Sequence, residues 1–468
     1  MKDRITAERG SAVLVALCLT VVLGIAVIGY VAVCARSMEL SNRSFCTTSS
    51  VHLAEIGVEE ALWALNQASQ AYNGGSTYDW TGAGWTLTTP TVGGVPVPTA
   101  TRVLTGYVSN RGVQGSINLQ IQYYSNGNLV PPLCYSQPPT ITAIGTSQMP
   151  DGIAIGRTLT VTARPSALFT KAVSAYTSCS FTINWICPLD SYETHVNLDP
   201  ANPAQTRRDE AIVSAPNVSV NAADVSGYVA TAGTAPTYTT GGTVTRADTP
   251  GGVTRDPRYV FTNANQTLFD ILADANLPGT YAGDFSTLNL HDGSASIPGT
   301  GTLSRYVVSS LSLASSDKLT INGPVIIVVT NDFSIQNSAS IVILSGGSAQ
   351  IIVGRSTYIG GGGIDNRTKL PKNLAVISRS AGSYNWSPDG YYTAKYDTST
   401  PFYGVIYVPN GSLSVCGSSN IAIYGALVAN VVDQHYQNGV IHYDLDLRQA
   451  VFSTLNTPFE VAQWLVSN

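Results

Sequence analysis

Residues 11–35 read SAVLVALCLTVVLGIAVIGYVAVCA, 25 positions without a charge, preceded by Lys2, Arg4 and Arg9 and followed by Arg36. As a helix rising about 1.5 Å per residue, the run reaches about 37 Å. That exceeds both the roughly 30 Å hydrocarbon core of a bilayer and the apolar stretch of a cleaved secretory signal. Gly24 and Gly29 fit a membrane helix, where glycine is commoner than in soluble ones. Three basic residues before the span against Arg36 and Arg43 after it give only a weak orientation signal.

The helical pattern does not stop at the membrane surface. Val51, Ala54, Val58, Ala61, Leu62 and Leu65 recur at spacings of three and four and line one face, whereas Glu55 and Glu59 fall on another. One long helix is therefore expected over 11–73, ending at Tyr72-Asn73-Gly74-Gly75, where an Asn/Gly cluster tolerates the left-handed conformation of a helix stop. A plain one-span anchor would need no such extension.

Arg9-Gly10-Ser11, the apolar run to Ala35 and the segment Ala54-Glu55-Ile56-Gly57-Val58-Glu59-Glu60-Ala61 together resemble the PilX-like, type IV pilin-like proteins. The resemblance implies a prepilin-type leader at 1–10, cleavage by a prepilin peptidase between Gly10 and Ser11, and methylation of the new N-terminus on Ser11. It further implies membrane lipid and other pilin-like subunits as partners. The implied location is the bacterial cytoplasmic (inner) membrane, crossed once, with most of the chain in the periplasm or on the cell surface or pilus. The fifth residue after the cut is Val15 rather than the Glu of major pilins. The chain therefore lacks one subunit-locking contact and avoids an unpaired carboxylate in lipid. A minor or priming component fits better than a bulk fibre subunit.

Beyond residue 75 the texture changes. Only 11% of the 468 residues are charged, 44% are hydrophobic, and 43 Gly and 24 Pro stand among Ser/Thr/Asn-rich stretches. Short strands and turns are expected, with a real core and no intrinsic disorder. A net charge of -5 with six lysines and no basic run gives no footprint for nucleic acid. Alternation in 115–123 and 157–163 marks half-buried strands of a small β module over 76–165, with Pro131-Pro132 and Pro138-Pro139 as stiff breaks.

After Arg305, apolar clusters of three to five residues alternate with small polar turns: Val325–Val329, Ile351–Val353, Leu374–Ile377 and Val405–Val408 are examples. Tyr403-Gly404-Val405-Ile406-Tyr407-Val408-Pro409-Asn410 repeats as Tyr424-Gly425-Ala426-Leu427-Val428-Ala429-Asn430 at an offset of 21 closing to 20, and Ile421–Tyr424 aligns with Val440–Tyr443 at 19. A period near 20 with several strands per repeat predicts a single-stranded parallel β-helix, a solenoid, over 166–450. Residues 205–285 read as a Pro/Thr/Gly-rich excursion from it. Residues 451–468 read as a C-terminal cap: Thr457-Pro458-Phe459-Glu460 has capping-box spacing, and Phe459, Ala462, Trp464 and Leu465 offer apolar surface to the last coil. The expected fold is thus mainly β behind a long N-terminal helix, with a β-sandwich as the competing arrangement.

This region resembles the domain of unassigned function at the C-terminus of many PilX-like exported proteins. The matching residues are Leu319–Val325, Asn331–Ile335, Phe402–Asn410 and Ile441–Asp444, with Ala167–Lys171 through Asp190-Ser191-Tyr192 as its start. That resemblance implies no established activity.

Chemistry-bearing residues are scattered. Sugar hydrolysis usually needs two opposed carboxylates, but Asp332, Asp365, Asp389, Asp397, Asp444 and Asp446 stand mostly alone in turns. Gly360–Asp365 matches the opening of a calcium-binding GGxGxD repeat, yet occurs once and has Arg367 in place of a large apolar residue, so a flexible glycine loop is expected. His52, His195, His291, His435 and His442 show no zinc spacing, although His435 and His442 could approach each other in neighbouring coils. No catalytic residue, metal or cofactor is assigned.

Cys179 and Cys187, flanking 180–186 read as two short strands joined by a turn, are the disulfide candidate, with a free-thiol pair the alternative. Cys18 and Cys34 read as inert apolar residues of the span, and Cys46, Cys134 and Cys416 complete an odd exported count. Three roles follow: a non-enzymatic pilus or pseudopilus component, a membrane-tethered polysaccharide lyase or glycosidase, or an adhesin. In the last, Tyr391, Tyr392, Tyr396, Tyr403 and Tyr407 would stack on a surface polysaccharide or host ligand.

Overall fold

The computed structural model describes residues 3–73, 77–108, 112–124, 137–149, 152–194, 208–231, 235–238, 242–247, 271–284, 294–297, 301–385, 391–416, 421–435, 439–455 and 458–467. Helix α1 runs unbroken over Asp3–Asn73, and the rest is mainly strand. The chain divides into two compact units, one of residues 1–68, 78–164 and 459–468, the other of 69–77 and 165–458.

In the first unit, α1 lies on one face of an antiparallel sheet formed by Thr86–Thr88, Thr99–Val108, Gln114–Gln122, Thr140–Gln148, Ala154–Pro165 and Phe459–Ser467 in that order. Ala54, Val58, Ala61, Ala64, Leu65 and Ala68 are buried against Ile117, Leu119, Ile121, Ile141, Ala143, Leu159 and Val161, while Glu55 and Glu59 face solvent. Successive strand residues alternate between helix and water, as a period of two requires. The two layers meet closely because Gly145 has no side chain: a Cβ there would stand 2.1 Å from Ser50 O and 2.6 Å from Ala54 N. At the other end of the layer Trp80 packs edge-to-face on Tyr78, Trp85 and Tyr124, and Arg102 reaches over the Trp85 ring to pair with Glu60 at 2.5 Å.

The second unit consists of parallel ladders. In the first ladder, Ser304–Val308, Pro324–Val329, Ser348–Val353, Leu374–Ser378 and the opening halves of Phe402–Cys416 and Ala422–His435 pair in register, each with the next. A second ladder runs from Leu311–Leu313 through Phe333–Ile335, Thr357–Ile359 and Ala394–Tyr396 into the closing halves of the same two long strands. Ser294–Ile297, Lys318–Ile321, Ser340–Ile343 and Ile364–Asn366 form a third. Partners within one ladder recur after 21 residues (Ser304 to Val325), 22 (Leu311 to Phe333), 23 (Ile341 to Ile364), 24 (Pro324 to Ser348) or 25 (Ala349 to Leu374), and after 30 (Ala375 to Val405) or 37 (Thr357 to Ala394) where longer connections intervene.

Both faces of the first ladder are covered. Val325, Ile327, Ile351, Val376 and Ile406 belong to the core shared with the other ladders. On the opposite face, Gln350 bonds Ser453 and Thr454, and Arg305 donates to the carbonyls of Asp274 and Leu277 at 2.8 Å, so residues 271–277 and 452–455 lie over it. Burial on both sides accounts for the unbroken apolar runs PVIIVV and LAVIS.

Three expectations about organisation are corrected. The stretch 205–285 is no excursion where it is described: Ala211–Ser214 and Asn217–Ala230 pair in parallel with Val173–Tyr192, which itself pairs with Ala422–His435, so they extend the stack. The repeat at 421–424 and 440–443 pairs at an offset of 18, Ile423 with Ile441 and Tyr424 with His442, one residue from the alignment by sequence. Such a slip reverses which face each side chain takes. Finally, 451–468 is not a capping helix. Phe452 and Leu455 are buried in the second unit, whereas Phe459–Ser467 is an edge strand of the first unit's sheet. There Asn66 Oδ1 accepts from Phe459 N at 2.6 Å. The strand's β-branched and aromatic residues prevailed over a capping-box spacing whose first member, Thr457, lies outside the described residues. Ala462, Trp464 and Leu465 are exposed instead of covering a coil.

Candidate functional site

The most extensive surface without a partner inside the fold is the first half of α1. From Val13 to Leu40 every described residue is exposed, and α1 is here long and apolar enough to cross a membrane, its most apolar 18 residues having a mean hydropathy of 2.9 with none of them buried. A helix apolar all round has no face committed to its own domain. Its hydroxyl at Thr20 donates back to Leu17 O at 2.8 Å, the bond that lets threonine sit in an apolar helix. Charge returns with Arg36 and the exposed i,i+4 pair Glu39 and Arg43, at 2.9 Å, and from Cys46 onward one face is buried. Gly10 and Ser11 lie within this helix, so the expected cleavage point stands on the continuous backbone that leads into the membrane-length segment.

A second cluster was not foreseen. Tyr403, Tyr424 and His442 occupy one register position of successive strands, and Asp190 continues it. The rings of Tyr403 and Tyr424 stack at 4.5 Å and 10°, and Tyr424 stacks on His442 at 4.8 Å and 25°. His442 Nδ1 lies 2.5 Å from Asp190 Oδ1, with both side chains buried. Tyr192 meets Tyr424 edge-on, and burial first, then the Asp444 carboxylate, raises its phenol well above the usual range. Asp444 accepts from Thr194 N and Oγ1 and from Asp446 N, yet burial outweighs these bonds and raises its carboxyl. The Tyr/Tyr/His correspondence of 403, 424 and 442 was the available signal, hidden by the one-residue alignment error. Stacked rings backed by a buried pair fasten neighbouring strands and leave no opening for a ligand.

The tyrosines expected to form a binding face do not form one. Tyr396 and Tyr407 are in the core, Tyr392 and Tyr403 are buried, and only Tyr391 is exposed. Tyr407 packs edge-on against Phe169, and Tyr396 donates to Thr400 O at 2.7 Å. These positions fall on ladder faces that are covered, and in-register repetition places aromatic residues on one another. Tyr392 lies 3.3 Å from Asp433, and burial pushes its phenol up to about 12.

The disulfide is also corrected. Cys179 is buried with a free thiol, which burial pushes up. It shares the strand Val173–Tyr192 with Cys187, with no turn between them. They pair with Val218 and Ala223, five residues apart on the neighbour, so their Cα atoms are roughly 16 Å apart, far beyond the roughly 7 Å limit of a bridge. Cys46 and Cys416 are buried, Cys18 and Cys34 are exposed, and Cys134 lies outside the described residues.

The scattered acids each serve local backbone or a neighbour. Asp332 accepts from Ser356 N and Arg355, Asp365 pairs with Arg367 at 3.0 Å, and Asp397 with Lys395 at 3.1 Å. In the glycine loop, the carbonyls of Gly361 and Gly362 accept from Thr398 and Thr400 hydroxyls at 2.6 and 2.8 Å. His435 and His442 stand on different ladders; His52 pairs with Glu55 on the solvent face of α1. His195, His291 and Asp389 lie outside the described residues.

Residues 263–450 match a family described as a domain of unknown function (DUF7305). No curated protein matches the chain. Among solved structures, the competence-associated pilin ComZ from Thermus thermophilus is similar at 12% identity over 90% of this chain and 97% of that one, with a TM-score of 0.25, at which no common fold is inferred.

Proposed function

We propose that the protein is a non-enzymatic, pilin-like membrane component that enters a type IV pilus or pseudopilus through α1 and displays its second unit outside the cytoplasmic membrane. One observation carries the reading: a single helix joins Asp3–Gly10, the exposed apolar segment and the face buried in the first unit without a break. A simple anchor gains nothing from that rigidity. A subunit that must hold its exported domain at a fixed distance from a helical assembly does. On this reading a prepilin peptidase cuts after Gly10, Ser11 becomes the methylated N-terminus, and Val15 leaves the subunit without the buried carboxylate of a bulk fibre subunit. The ladders of the second unit are read as coils of a parallel β-helix, because successive strands of each ladder pair in parallel, most of them after 21–25 residues.

The test is processing and assembly. Gly10→Val is expected to leave a precursor longer by the leader and to remove the protein from sheared surface fibres. An unchanged size together with unchanged assembly would refute the reading.

A further inference from the structure

The face of the first unit's sheet turned away from α1 carries one ion pair, Arg164 with Glu460 at its edge, and is otherwise made of uncharged residues. In register across four strands stand Thr101, Gln120, Thr142 and Thr160; the adjoining rows continue with threonine, glutamine, asparagine and serine, interrupted by Val103 and Ile144. Exposed sheet faces and edges ordinarily carry charges that keep copies apart. At one end of this face lies a concavity of about 440 Å³, lined by Thr105, Ser116 and Thr146 of one row and by Val108, Gln114 and Gln148 of the next, with Tyr107 beside them. Small residues open it. Gly106, at φ +93, forms the irregularity after Thr105 and has open space where a Cβ would be, and Ala154 stands opposite Gln148. No lining side chain is charged. Arg157, beyond the end of the row, donates to Gly156 O at 3.3 Å.

We infer that this concavity binds a neutral saccharide, with the hydroxyl and amide rows beside it receiving further sugar units. An anionic ligand would find no cation in the lining, where Tyr107, Val108 and Ala154 stand beside the hydroxyls and amides. Every lining hydroxyl and amide can both donate and accept, which matches a polyhydroxylated, uncharged ligand whose groups do the same. The volume is in the range of small-molecule sites. Members of a row about 4.8 Å apart across strands, and successive rows about 6.7 Å apart along them, present a flat lattice for a chain of sugars. The inference does not depend on the assembly reading, since it concerns the first unit's own surface.

The test uses the purified full chain in detergent, titrated with cellotetraose, maltotetraose and chitotetraose, and with tetragalacturonate as the anionic probe. Saturable binding of at least one neutral tetrasaccharide is expected, weakened at least tenfold by Ser116→Glu and by Thr146→Glu, and unchanged by Ser312→Glu in the second unit. Ser116→Ala, which adds no bulk or charge, provides a gentler loss should the glutamates disturb the sheet; unchanged melting of each variant confirms its fold. Absence of binding by all three neutral sugars at millimolar concentration, binding of the anionic probe alone, or affinity that survives every substitution in the concavity would overturn the inference. Failure of fibre assembly would leave these titrations unaffected.

Discussion

The antiparallel sheet of the first unit and the first parallel ladder of the second unit solve the same problem in different ways. Gln114–Gln122 buries Ile117, Leu119 and Ile121 under α1 and shows Asn118 and Gln120 to solvent, whereas Pro324–Val329 buries all five of its last residues. One strand needs a single cover; the other needs an interior and an outer lid. The difference teaches that an unbroken apolar run in this chain marks a second covering layer, supplied here by residues 271–277 and 452–455.

The sharpest way to break the comparison is to remove the cover of the antiparallel sheet. Gly145→Leu would force α1 from the sheet and is expected to cost the first unit about 3 kcal/mol or more. Two separate transitions in denaturant, with only one of them shifted, would show the effect. In the ladder, Ile327→Ala is expected to cost about 2–5 kcal/mol by leaving a cavity, while Val103→Ala on the exposed sheet face stays within about 0.5 kcal/mol. Equal losses at the two sites would remove the distinction between one-face and two-face burial.

A pH series probes the buried titratable groups of the second unit. Burial lowers the Lys171 ammonium to about 8, with Ser214 Oγ 3.1 Å away. Because the unfolded chain then binds more protons, stability is expected to rise by up to about 3 kcal/mol as pH climbs from 8 toward 10. Above 10 the trend reverses, since buried phenols such as Tyr176, raised to about 12, hold protons that the unfolded chain releases. Lys171→Met should abolish the rise; a variant that keeps it would move its cause elsewhere. The smallest effect is assigned to the exposed pair Arg164 and Glu460, at 3.1 Å, where Arg164→Ala should cost under about 1 kcal/mol in the first unit.

Much of this was legible. The spacing of Ala54, Val58, Ala61 and Leu65 specified the buried face of α1, and the 403–410 repeat is the pairing register itself, Tyr403 opposite Tyr424 and Gly404 opposite Gly425. At that second glycine only a residue without Cβ fits, for φ is +151 and a Cβ would stand 1.8 Å from Gly404 O. What could not be read was set by distant partners. Tyr396 and Tyr407 look like surface aromatics until neighbouring strands and a lid bury them. Cys179 and Cys187 look like two arms of a hairpin because eight residues of sequence do not reveal whether the chain turns. The sheet face that carries the concavity is silent for another reason: threonine and glutamine alternating with apolar residues describe any half-solvated strand until register gathers them into rows.

The strand Phe459–Ser467 gives the first unit a fold that is discontinuous in time as well as in sequence. Arg164 and its partner Glu460 are 296 residues apart. At roughly 5–20 residues per second, the edge formed by Ala154–Pro165 waits roughly 15 to 60 s for its neighbour to be synthesised. Throughout that interval the sheet offers an unpaired edge to any other extended chain. All of the second unit except residues 69–77 is made within the same interval, and it brings the two ends of its long segment together, with the carbonyl of Pro458 accepting from Ser166 N at 2.7 Å. Rapid folding of the ladders is therefore a condition for the first unit to complete itself in cis instead of with a neighbouring copy.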